Sequence, residues 1–172
     1  EIILLMRNLP DRVTEMHQGI WTKSAKNSNE IRGKSLGIIG YGNIGSQLSV
    51  LAETMGMKVY YFDIEEKLAL GNATRCNTLE ELLDKCQVIS MHVDGRHHNT
   101  NMSNEGVFSK MREGTIFINL SRGKVVDIQA LRKYVENGTI RGVGIDVFPE
   151  EPMSNADEFI SELRGLPNII MT

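Results

Sequence analysis

Cysteine, proline, tryptophan and net charge are all scarce in this 172-residue sequence, and each scarcity removes a class of function. Its two cysteines, Cys76 and Cys86, have no metal-ligand partners at useful spacing, which argues against a zinc module and a disulfide framework. They read instead as reduced structural thiols of a cytoplasmic protein, with no metal site. The formal charge of −3 offers no basic footprint for nucleic acid. No apolar run approaches the roughly 20 residues that span a bilayer, and no signal-peptide pattern opens the chain. Repeats and low-complexity tracts are absent. The sequence does not begin with methionine, and Ile169–Thr172 ends it mid-strand by pattern; both suggest a piece of a longer protein.

What is plentiful is glycine, and its placement carries the first positive argument. The apolar run Leu36-Gly37-Ile38-Ile39 leads straight into Gly40-Tyr41-Gly42-Asn43-Ile44-Gly45, a Gly-x-Gly-x-x-Gly turn. Gly40 permits the tight strand-to-helix turn, Gly42 lets a pyrophosphate approach bare backbone, and Gly45 lets the helix pack on the strand. The pyrophosphate then sits at a helix N-terminus, where free N–H groups favour an anion. Asp63 ends the next apolar run, Lys58–Phe62, about 20 residues beyond the turn, the offset of an acid that accepts from ribose hydroxyls. A carboxylate there repels a 2′-phosphate, and Glu65 and Glu66 follow, so NAD is expected over NADP.

Apolar residues at 2, 3, 5, 6 and 9 give the opening a helical spacing, and Pro10 starts a second helical segment reaching about His17. Residues 18–32 lose periodicity and read as an extended arm. Trp21 in that arm is anchored either on its own domain or against a partner subunit. Beyond Ser35, strands are expected at Leu36–Gly40, Lys58–Phe62, Val88–His92, Thr115–Asn119, Gly142–Val147 and Asn168–Met171. Helices are expected at Asn43–Met55, Leu79–Lys85, Asn104–Met111, Ile128–Asn137 and Phe159–Leu163. Strands of near-continuous apolar character alternating with helices predict an α/β fold. It is a doubly wound parallel sheet, Rossmann-like, in three α/β/α layers with strand order 3-2-1-4-5-6. Residues 1–34 form a helix and extended arm that are part of the cofactor domain, and 35–172 its dinucleotide-binding Rossmann region.

In such a sheet ligands bind at the carboxyl ends of the strands. The fourth strand ends in Asn119-Leu120-Ser121-Arg122-Gly123, where Arg122 either presents a fork to a carboxylate or makes a surface ion pair. The fifth ends in Asp146-Val147-Phe148-Pro149-Glu150-Glu151-Pro152, where Asp146 either meets the nicotinamide or caps a turn.

These motifs, with Val125-Val126-Asp127, resemble the NAD-dependent D-isomer-specific 2-hydroxyacid dehydrogenases over essentially the whole chain. The resemblance implies a cofactor domain inserted in a discontinuous substrate domain that is absent here. It implies hydride transfer between NAD and a D-2-hydroxyacid carrying a phosphate, with Lys23 in the arm as a candidate cation, in a homodimer or homotetramer. Arg122 is then the substrate-carboxylate ligand, and Glu151, not Glu150, the partner of a catalytic histidine expected after Thr172. His92 and Val93 line the cofactor site, as do Leu120, Ser121, Arg122 and Asp146. His97 and His98 are expected to face solvent.

The chain departs from the family after Val93, where Asp94, His97 and Asn99 replace two prolines and a threonine. Losing the prolines is expected to free that loop. Asn43 replaces a larger residue in the glycine turn. Alternatives are another 2-hydroxyacid reductase, such as a glyoxylate reductase, and a non-catalytic NAD-sensing module of the corepressor type. Formate dehydrogenase, with an amide at the Glu151 position, is disfavoured.

Overall fold

Seven short strands, three of them buried along their whole length, assemble into one parallel sheet. The computed structural model describes residues 1–172. Two helices open the chain, α1 (Ile2–Met6) and α2 (Leu9–His17), the second with Pro10 in its first turn. The extended arm leads to β1 (Ser35–Ile39), α3 (Asn43–Thr54), β2 (Lys58–Phe62) and β3 (Thr74–Arg75). Then come α4 (Leu79–Lys85), β4 (Val88–Met91), α5 (Glu105–Phe108), β5 (Thr115–Asn119), α6 (Ile128–Glu136), β6 (Ile140–Ile145) and β7 (Ile169–Met171). The sheet order is β3-β2-β1-β4-β5-β6-β7, every pairing parallel.

Sheet order corrects one expectation. Val88–His92, counted third, does not lie at the edge beyond β2; Ile89 pairs with Gly37 beside β1. The third strand is the two-residue β3, too short to leave a periodic signal. The helix expected at Phe159–Leu163 does not form. Phe159 turns edge-on to Phe148 at 4.6 Å, Leu163 drops into the core, and Gly165 (φ +80°) with Pro167 blocks propagation of so short a segment. β6 also starts and ends two residues earlier than expected, because Ile140 pairs with Thr115.

Two apolar clusters cover the two faces. One joins Leu82, Leu83, Phe108, Phe117 and Leu131; the other joins Leu5, Leu36, Ile38, Tyr61 and Ile116. Each fully buried Leu, Ile or Phe contributes about 1.5–3 kcal/mol. α6 shows how sequence places a layer. Asp127 accepts the Ala130 N–H at 3.0 Å as its cap, and Ile128, Leu131, Tyr134 and Val135 fall on one buried stripe. Thr78 caps α4 in the same way, taking the Glu81 N–H at 3.1 Å. Gly37 lets α4 sit close on β1: a Cβ there would stand 2.6 Å from Leu82 Cδ2, and the buried Leu82 side chain would have to shift.

Candidate functional site

The carboxyl ends of β1, β2 and β4 meet at the glycine turn. Gly40 holds φ +91°, and a Cβ on it would stand 2.6 Å from the His92 carbonyl oxygen. Gly45 has the same constraint from below, where a Cβ would overlap the Gly40 carbonyl. Gly42 differs, since a Cβ would meet nothing within 4 Å. The space over Gly42 is open, as a backbone that receives a pyrophosphate requires. α3 begins there with Gly42 as its cap and no side chain on its first amides. Its first hydrogen bond runs from the Ser46 N–H to the Gly42 carbonyl, so the amides of Asn43, Ile44 and Gly45 are not claimed by the helix. This geometry fits a dinucleotide.

Asp63 closes the turn from β2. Its Oδ2 accepts the Tyr41 N–H at 2.7 Å and its Oδ1 the Glu65 N–H at 2.9 Å. Each oxygen keeps a lone pair for a further donor. Tyr41 therefore spends its amide on Asp63, and its ring lies buried, stacked 3.8 Å on Tyr61. Its hydroxyl pairs with Ser49 Oγ at 2.7 Å and accepts the Leu70 N–H at 3.1 Å. Tyr41 thus positions the acid and the turn from beneath.

Gly40, Gly42, Asp63, His92 and Val93 border one cleft of about 250 Å³. His92 exchanges a hydrogen bond with Ser90 Oγ through Nε2 at 2.9 Å, and burial pushes its pKa down, favouring the neutral ring. Arg96 and His98 complete the outer wall, so His98 borders the cleft rather than only solvent. The loop that lost its prolines is tied by side chains instead. Asp94 Oδ1 accepts from the Arg96 N–H and from Asn99 Nδ2, its Oδ2 pairs with Arg96 Nε at 3.0 Å, and its carbonyl accepts from Asn99 Nδ2.

A second cleft of about 320 Å³ brings Arg122 and Glu151 together. Buried Asn119 organises the turn after β5. Its Oδ1 takes the Ser121 N–H at 3.1 Å and Oγ at 2.8 Å, while its Nδ2 donates to the Arg122 carbonyl at 3.0 Å. Gly123 lies against the backbone of Phe148 and Pro149, where any Cβ would overlap. That contact holds the Arg122 turn beside the β6 exit that carries Glu151. Glu151 Oε1 accepts the Phe148 N–H at 3.3 Å. Arg122 Nη1 donates to the Ser121 carbonyl at 2.6 Å, and its Cγ would lie 3.2 Å from a Cβ on Gly95. The 94–96 segment is therefore a wall common to both clefts. Asn119 and Gly123 stand in the same strand-end motif as Arg122, but their roles, a brace inside the turn and a bare backbone contact, show only in the folded chain.

Asp146 and Leu120 border neither cleft. Asp146 is exposed at the end of β6, donates its N–H to the Asn119 carbonyl at 3.3 Å and accepts from Thr172 Oγ1 at 3.0 Å. Leu120 and Ile44 instead border an apolar groove of about 450 Å³ between α1 and α3. No group of three or more His, Cys, Asp or Glu is placed to hold a metal ion.

A strand, a glycine turn, an uncapped helix start and an acid on the neighbouring strand together define a dinucleotide-binding α/β domain. The chain belongs to the D-isomer specific 2-hydroxyacid dehydrogenases, whose NAD binding domain profile matches residues 1–172. It is 53% identical over its full length to a D-3-phosphoglycerate dehydrogenase of Haemophilus influenzae and 47% identical to that of Escherichia coli, covering 42% of each. The chain thus spans about two fifths of these curated relatives. A D-lactate dehydrogenase with NAD+ from Lactobacillus jensenii superimposes with a TM-score of 0.87 at 28% identity, over 99% of this chain and 55% of that one. An NAD-dependent formate dehydrogenase from Staphylococcus aureus in complex with NAD shares the fold, with a TM-score of 0.89 at 22% identity over 99% and 51% of the two chains.

Proposed function

We propose that the protein transfers hydride between NAD and a D-2-hydroxyacid, with 3-phosphoglycerate and 3-phosphohydroxypyruvate as the pair, a step toward serine. The observation that carries this reading is the placing of Arg122 and Glu151 in one cleft that shares a wall with the dinucleotide cleft. The names of the full-length matches point to the phosphorylated substrate. Bound NAD supplies the hydride acceptor. The Asn43 and Ile44 amides would hold its pyrophosphate and Asp63 its ribose, His92 and Val93 would line it in the first cleft, Leu120 and Ser121 would line it beyond that cleft, and Asp146 would accept from the nicotinamide amide. Arg122 holds the substrate carboxylate in two parallel hydrogen bonds, which supplies orientation rather than bond-making. Glu151 orients a histidine expected after Thr172 and raises its basicity, so that this ring removes the hydroxyl proton.

The domain boundaries follow the same reading, with helix and arm at 1–34 as part of the cofactor domain, its Rossmann region at 35–172 and the substrate domain elsewhere in a longer cytoplasmic protein. Exposed apolar side chains stand at Ile3 and Leu4 on α1, Leu51 on α3 and Met55 just past it, and Trp21 in the arm is 77% exposed. These suit a homodimer built through helix and arm, with Lys23 reaching toward the substrate phosphate. Steady-state assays on the full-length protein test the proposal. Oxidation of 3-phosphoglycerate with NAD should far exceed that of unphosphorylated D-glycerate. Equal turnover of the two, or equal use of NADP, overturns it.

A further inference from the structure

The end of the sheet opposite the cofactor carries a polar cavity of about 200 Å³ that the dehydrogenase reading leaves unused. Three cations border it: Lys34 just before β1, Arg112 just before β5 and Arg141 within β6. None forms an ion pair, although eight other basic side chains do. The single acid on the rim, Glu113, is exposed and stands beyond ion-pair distance of all three.

Arg141 is the unusual member. A central strand of a parallel sheet normally carries apolar side chains. Here a half-buried guanidinium is fixed by neutral acceptors: Nε to the Gly114 carbonyl at 3.0 Å, Nη1 to the Asn27 carbonyl at 2.9 Å and Nη2 to Met6 Sδ at 3.1 Å. Both Nη atoms keep a second hydrogen free of these bonds. Burial disfavours its charged form, and no carboxylate offsets that penalty. Gln87 stands on the same wall. Its Oε1 takes the Ser35 N–H at 3.3 Å, which leaves its amide group to donate.

We propose that this cavity is a binding site for a tetrahedral oxyanion, either inorganic phosphate or the phosphoryl group of a small phosphomonoester. Cations arriving from three separate elements suit a group that spreads charge over three oxygens, and the forked guanidiniums match its geometry. The strands that leave this cavity, β1, β5 and β6, end at the cofactor turn, the Arg122 turn and Asp146. The proposal concerns a different end of the domain from the reaction and stands or falls without it.

Titration calorimetry of the full-length protein saturated with NAD tests this, with inorganic phosphate and glycerol 2-phosphate each compared with chloride at equal ionic strength. Saturable binding is expected for at least one, and the tighter of the two identifies the source. Arg141→Gln should weaken it by about tenfold or more, the scale of a lost charge-assisted bond. Arg112→Ala, which removes an exposed side chain without hydrogen bonds, should weaken it similarly with no loss of folding. Both variants should leave NAD affinity unchanged. Absence of saturable binding, or binding that neither substitution weakens, overturns the proposal.

Discussion

At Gly40 and Gly42 one residue type serves two separate demands. Gly40 has a positive φ and a carbonyl against its missing side chain, so it belongs to folding. Gly42 has empty space over it, so folding does not ask for glycine there and the proposed pyrophosphate contact does. Gly40→Ala should cost about 1–3 kcal/mol in urea unfolding, the scale of a strained backbone position. Gly42→Ala should change stability by less than about 1 kcal/mol yet weaken NAD binding by about 1–3 kcal/mol, because the methyl group fills the cofactor's space. Calorimetry and denaturation on the two variants would separate the roles. His92 makes a second residue-scale prediction. Its folded pKa lies below its unfolded value of about 6.5, so the unfolded chain binds the extra proton first on acidification. Stability from His92 is intact above that value and is lost as pH falls through it toward the lowered folded pKa. His92→Gln should flatten this part of the pH–stability curve.

At the scale of elements, the loop after β4 shows how one local rule substitutes for another. Proline would have fixed this backbone by restricting φ, and Asp94 fixes it by hydrogen bonds to Arg96 and Asn99. Because the same segment walls both clefts, its order matters twice. Asp94→Ala should accelerate amide hydrogen exchange across residues 94–100. It should also raise the Kd for NAD by a few fold, with a global stability loss of only about 0.5–1.5 kcal/mol, the range for such bonds. Unchanged exchange in that loop would show that other contacts fix it.

For the whole molecule, the division between binding and chemistry makes the largest-scale prediction. The glycine turn, Asp63 and the second cleft all lie within residues 1–172, whereas the proposed base and the opposing substrate wall do not. Residues 1–172 alone should therefore bind NAD in calorimetry and give no hydride transfer with 3-phosphoglycerate. General base catalysis is worth about 10²–10⁴-fold, and positioning against the nicotinamide adds several kcal/mol more. Turnover by this chain would identify a base within it, with His92 the first to substitute.

The sequence by itself determined the parallel sheet, because apolar runs alternating with helical periods allow few other folds, and it determined the strand-to-helix turn, because only glycine meets the steric demands at Gly40 and Gly45. Asp63 was legible for the same local reason: it follows the second strand at a fixed offset from the turn. Tertiary structure decided what local pattern cannot encode. The two-residue β3 exists only because β2 offers it an edge, and Phe159–Leu163 stays irregular because packing on Phe148 and the core outweighs its helical spacing. Asn119 reads as one more polar strand residue until its side chain is seen to bind the Ser121 and Arg122 backbone. Arg122 and Glu151 become neighbours only through the bare backbone contact at Gly123. The pairing of distant strand ends is a property of the folded sheet, since their separation along the chain leaves no mark on either segment alone.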